Sequence, residues 1–324
     1  MNRPPSTVRK WKSTRMMAMD RAAPATATTM AAATAAAQRR QARWAFGLPL
    51  AAVLVAVAIA FSAYKDGRLT CGRYVLNAYL YVILSLLIAS IVATQLGALD
   101  DVAADAAARP RRRRNDDEAG AAPLARSLYR GWALLAVFAL TIGALLLTMW
   151  IDPRRTVAKH AAWLVFVGLF GVMLHPIYAY TRARGVFAHT ALTTLAVVVG
   201  LTGLAFWHPE WIRLSWGTGL LVALFAGIVL RLLMLLVRPP QNPSREEDAA
   251  AATAAFARWR SWDVLLSWAF VVLFSLLLLY DTKRLQVHAA ACGSARLPVP
   301  DYVNDSVGIF LDVANLFANL GRVQ

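Results

Sequence analysis

Two aspartates stand where this sequence has least reason to keep a charge. Asp281 closes the apolar run Trp262–Tyr280, and Asp312 lies in the middle of the segment Tyr302–Leu320. A charge in hydrocarbon is costly, so an ionisable residue retained there is a functional-site candidate. Two carboxyls brought together away from water do not both ionise cheaply, and the pair keeps one proton between them. Such a pair is sensitive to pH. When ionised it offers hard oxygen ligands to a divalent cation such as calcium. The same two acids would also suit an intramembrane aspartyl protease, in which one activates water and the other protonates. That chemistry calls for Gly-x-Gly-Asp at the second acid, and Gly308-Ile309-Phe310-Leu311-Asp312 does not supply it.

The surroundings of Asp312 are patterned. Asp301, Asp305, Gly308, Asp312, Asn315 and Asn319 step by four, three, four, three and four, which puts them on one face of a helix. Asp305, Asn315 and Asn319 are therefore read as a polar face supporting the aspartate. A helix with one polar stripe either turns it into a bundle or lies on the membrane surface. A surface helix would favour Lys and Arg on that face. This one is acidic and amide, so insertion is the reading adopted. Arg231, inside another apolar run, either snorkels to the interface or serves as counter-ion to an aspartate. No metal site is expected, since there is no HExxH and no His pair at helical spacing. GxSxG, Walker A and GxGxxG are also missing, so neither enzyme activity nor a bound cofactor is expected.

The elements that would hold these residues are membrane helices. The chain has 324 residues, 59% of them hydrophobic and 16% charged, with mean hydropathy +0.50. A soluble domain is nearer half apolar and a quarter charged. Seven runs are long enough for the roughly 20 residues that cross a bilayer: Trp44–Tyr64, Tyr74–Leu96, Trp132–Ile151, Ala161–Tyr180, Val186–Trp207, Leu214–Val237 and Trp262–Tyr280. With the half-apolar eighth segment they predict an all-α, polytopic helical bundle, because lipid offers the backbone no partners outside a helix or closed barrel.

The net charge of +16 follows the same architecture and does not indicate nucleic acid. With the N-terminus inside, the inner segments hold 23 Lys and Arg and the outer loops 10. That bias orients the bundle by the positive-inside rule. Residues 1–43 carry nine of the inner basic residues and one acid, and read as a disordered tail or a targeting segment. Residues 108–118 form a basic-then-acidic loop. Cys71 and Cys292 both fall outside, where they either pair or remain thiols according to the redox state of that side. The lipid bilayer is the partner these features require; protein partners in a membrane complex are a second expectation.

The C-terminal third resembles the transmembrane Bax inhibitor motif family, which includes the Bax inhibitors and the Lifeguard proteins. Leu279-Tyr280-Asp281-Thr282 closes a span where the family has a Tyr-Asp-Thr-Gln ending. Ile309-Phe310-Leu311-Asp312-Val313-Ala314-Asn315-Leu316-Phe317 is close to the family's Leu-Tyr-Leu-Asp-Ile-Ile-Asn-Leu-Phe. The resemblance implies a seven-helix bundle over residues 74–320, with 44–64 an added N-terminal span. It implies that Asp281 and Asp312 form a di-aspartyl pH sensor gating a calcium leak, in a protein that restrains cell death. Calcium would then be a permeant ion. The implied location is an endomembrane (ER or Golgi) or the plasma membrane, with the mitochondrial inner membrane as the alternative. A non-conducting structural or partner-binding subunit is the competing function.

Three departures stand out. Position 283 is Lys where the family has Gln. The family's latching Arg in its second span has no counterpart in Trp132–Ile151. The family is also drawn with the loop between its last two segments on the cytosolic side, whereas the charge count puts 281–303 outside.

Overall fold

The structure is a computed structural model that describes residues 47–65, 68–108, 131–236, 246–295 and 297–324. The segment 1–43 and the basic-acidic loop within 109–118 lie outside the described residues. The chain divides at Leu50. The first unit, Met1–Leu50, is described only from Gly47, at the first turn of a helix. The second, Ala51–Gln324, carries every other described element.

Eight helices are described. They are α1 (Gly47–Ala63), α2 (Tyr74–Ala108), α3 (Gly131–Trp150), α4 (Thr156–Ala183), α5 (Phe187–Trp207), α6 (Trp216–Leu236), α7 (Glu246–Ala291) and α8 (Tyr302–Val323). A two-residue antiparallel ribbon, β1 (Tyr64–Lys65) with β2 (Arg68–Leu69), joins α1 to α2. The chain is thus an all-α polytopic bundle, as its hydropathy requires.

Six helices, α2 to α7, are long and apolar enough to cross a membrane. The expected first span is described only as the 17-residue α1, with residues 44–46 outside the described set. The expected eighth is not apolar enough to join them, because half of it is polar. Its place is nevertheless the centre. α8 packs against α7, α2, α5, α4 and α3, and residues along its whole length are buried, from Tyr302 to Gly321. The outer helices present their Leu, Val and Phe outward instead, for example Leu221, Val222 and Phe225 on α6. This is the inverse of a soluble protein. The polar stripe is cheapest where other helices supply partners, and the apolar surface is cheapest against lipid.

Close helix contacts are made by small residues. At Gly171 of α4 an added Cβ would come within 2.8 Å of the Ala89 carbonyl oxygen and the Val92 side chain of α2, so only glycine lets these two backbones approach. Aromatic rings fill the interior between α2, α4 and α8. Phe310 packs edge-on against Phe166 and Phe170, and Tyr81 against Trp163.

Cys71, just before α2, and Cys292, just after α7, form a disulfide with Cα atoms 5.7 Å apart. It closes the end of the bundle where α2 and α8 begin. Local sequence leaves pairing and free thiols open; the fold brings the two residues together.

Candidate functional site

The site is built on α8 and meets three other helices. Asp301 caps α8, its side chain accepting from the backbone N–H of Asn304 at 3.1 Å. From that cap the acidic residues follow at one turn (Asp305) and three turns (Asp312) on the face turned toward α7, α2 and α4.

The outermost level is Lys159 of α4. Its ammonium is 2% exposed and lies 2.6 Å from the Asp301 carboxylate, with a second bond of 3.0 Å to the Ile151 carbonyl. Burial pushes the Asp301 carboxyl above the ordinary carboxylate range, while the Lys159 ammonium against it pulls the other way.

One turn deeper, Asp305 collects partners from two other helices. Tyr74 of α2 donates to it at 2.8 Å. His288 of α7 is bonded to it at 2.8 Å, and the Arg284 guanidinium stands 3.9 Å away. The sequence marks Asp305 only as part of a supporting face. It is instead the most heavily bonded acid among the described residues, and the partners that make it so come from distant parts of the sequence.

Deeper still, Asp281 and Asp312 meet. Their carboxyls are in hydrogen-bonding contact. Asp281 lies against Gly308, one turn above Asp312, where a Cβ would overlap its carboxyl group. Asp312 is 4% exposed, and its Oδ2 atom has no donor if both groups are ionised. One proton between the two carboxyls would supply such a donor. Arg284, three residues on from Asp281 and 3.9 Å from it, bridges this level to Asp305. The column from Asp301 to Asp312 runs for about 16 Å along α8.

Arg231 is not part of this column. It is the counter-ion of an aspartate, but of Asp263 at 3.2 Å on α7, and it also donates to Ser267. Its surroundings include the Phe270 ring at 5.8 Å. The arginine near the acid pair is Arg284, which lies beyond the end of the apolar run and carries no signal as a counter-ion. Asn315 and Asn319 likewise spend their amide donors on α8 itself, on the Leu311 and Asn315 carbonyls. The stripe therefore meets other helices in its first half and satisfies itself in its second. No cluster of three metal-ligating groups exists among the described residues.

Lys159 and His288 are not singled out by the sequence. Neither has a local signal, and each gains its role from a partner more than ten positions away. Tyr74 is similar; its only hint is that it opens a span.

Residues 71–323 match the family described as inhibitor of apoptosis-promoting Bax1. The growth hormone-inducible transmembrane protein of Rattus norvegicus is 29% identical over 191 residues, covering 58% of this chain and 50% of that protein. The chain thus spans about half the length of that relative. No solved structure matches it. The family match takes in the whole acidic column and both halves of the disulfide, and the chain belongs to the Bax inhibitor-like family of multi-pass membrane proteins.

Proposed function

We propose that the protein is a proton-gated calcium leak pathway and a regulator of calcium homeostasis and cell death, with Asp281 and Asp312 as the gate. The reading rests on one observation: two carboxyls in contact inside the bundle, one from α7 and one from α8, whose polar face is enclosed by its neighbours. With one shared proton the pair holds α7 and α8 together. Loss of that proton puts two like charges side by side in a low dielectric, which drives the helices apart and exposes oxygen ligands suited to calcium. Asp305, Tyr74, His288 and Arg284 extend the polar path from the pair toward the disulfide end. The protein binds no resident cofactor and performs no catalysis in this reading.

The test is calcium flux into liposomes carrying the purified protein, from about pH 6 to about pH 8. Flux that changes with pH and loses that dependence in Asp312→Asn supports the gate. Unchanged pH dependence in Asp312→Asn refutes it. Absence of flux at every pH leaves the non-conducting, partner-binding role as the function of the fold.

A further inference from the structure

At the end of the bundle opposite the disulfide lies a cavity of about 510 Å³. It opens between the end of α4, the end of α6 and the early part of α7, with the C-terminal turn of α8 at its edge. Four arginines line it: Arg184, Arg231, Arg260 and Arg322. One carboxylate, Asp263, is present and is already paired with Arg231. The other three guanidiniums are exposed, and no carboxylate pairs with them among the described residues. The remaining wall is apolar and aromatic. Trp259 is fixed there by a bond of 3.0 Å to the Met234 carbonyl and stacks against Phe256 at 5.9 Å.

Three facts converge on one ligand chemistry. The cavity carries surplus guanidinium, the group that matches phosphate oxygens in a fork. Its apolar lining lies between helices long and apolar enough to cross a bilayer, so it is accessible to a molecule with both a phosphate and hydrocarbon. Arg184, Arg260 and Arg322 come from three separate segments, 181–185, 238–261 and 321–324. All three are segments that the charge distribution assigns to the inner side, where anionic lipid attracts basic groups. A soluble phosphate would have no use for the apolar wall.

We infer that this cavity binds the headgroup of an anionic phospholipid, its phosphate held by Arg184, Arg260 and Arg322 and its glycerol and upper acyl chains against the Trp259 wall. Arg231, neutralised by Asp263, shapes the floor and does not bind the phosphate. The inference is independent of any ion conduction, because no residue of the acidic column takes part.

The full chain in detergent is titrated with short-chain phosphatidylglycerol, short-chain phosphatidylcholine and inorganic phosphate, and its melting is followed. Stabilisation by phosphatidylglycerol, with neither of the others effective, is expected. The exposed triple variant R184Q/R260Q/R322Q should weaken that binding at least about tenfold, and R184K/R260K/R322K should recover part of it. The variant R154Q/R155Q/R213Q removes as many charges at other loops and should bind as the parent does. Equal binding by R184Q/R260Q/R322Q, equal loss in R154Q/R155Q/R213Q, or an inorganic phosphate response matching that of phosphatidylglycerol would each overturn the assignment.

Discussion

Asp281 stands ten residues before the end of α7, and Asp312 ten residues after the start of α8. The two helices run in opposite directions away from the same short connection. Equal offsets of about 15 Å therefore bring the carboxyls to one depth. On the sequence this match is hidden, because the apolar run ends at Tyr280 while the helix does not. α7 continues through Lys283, Arg284, Gln286 and His288 to Ala291. The extension is polar, yet it stays helical because its polar groups find partners: Arg284 and His288 reach Asp305, and Gln286 donates to the Ala205 carbonyl.

Substituting Gly308 tests how tightly the pair is held. Gly308→Ala places a methyl group where the Asp281 carboxyl now lies. The carboxyl must swing away, at a cost of about 1–3 kcal/mol. A lower melting temperature and a blunted response to pH are expected together. A Gly308→Ala protein with the melting curve and flux profile of the parent would refute the close packing of Asp281 on α8.

Separating the roles of the two aspartates is possible because their surroundings differ. Asp281 has Arg284 nearby, whereas Asp312 has only its partner carboxyl among the described residues. Asp312→Asn should be well tolerated, since an amide can donate to Asp281 as a proton shared by the pair would. Asp281→Ala removes the polar partner that Asp312 has among the described residues and should cost about 1–3 kcal/mol. Melting temperatures of the two variants, measured side by side in one detergent, decide it; the reverse order would refute the assignment.

Lys159 and Asp301 form a buried pair whose halves are unequal. Lys159→Met strands the Asp301 carboxylate at the head of α8 and should destabilise by about 3 kcal/mol. Adding Asp301→Asn should recover much of this, because the stranded charge is then gone; an additive double variant would contradict direct coupling. Asp301 also has a pH signature. Burial raises it, so the folded chain holds this proton more tightly than the unfolded chain. Its contribution to stability is present below the ordinary carboxylate range and is lost as pH rises through the shifted value. The Asp301→Asn variant should lack that slope in a pH series of melting temperatures.

The disulfide should be both present and stabilising. Cys71 and Cys292 are 221 positions apart in sequence and bound in space. Thiol labelling of the unreduced, unfolded protein should modify neither. Cys71→Ser/Cys292→Ser should lower stability by about 2–4 kcal/mol. Free thiols in protein isolated under oxidising conditions would place this end of the bundle in a reducing compartment instead.

Much of the molecule follows from local sequence. Period and length of the apolar runs determine that α2 to α7 are membrane-length helices, because in lipid a continuous apolar segment has no other way to satisfy its backbone. The step of four and three from Asp301 to Asn319 determines that α8 is a helix with one polar face, and that the face is turned inward. The same step names Gly308, though not its purpose. Tertiary structure decided what each polar group binds. Arg231 and Arg284 are both arginines at helical positions near aspartates, and only packing assigns one to Asp263 and the other to Asp281 and Asp305. Lys159, Tyr74 and His288 join the site through partners on other helices, and Cys71 finds Cys292 only when α2 and α7 lie at the same end. Periodicity reports on one helix at a time. A hydrogen bond or ion pair between helices depends on their relative depth and rotation, which no single segment encodes.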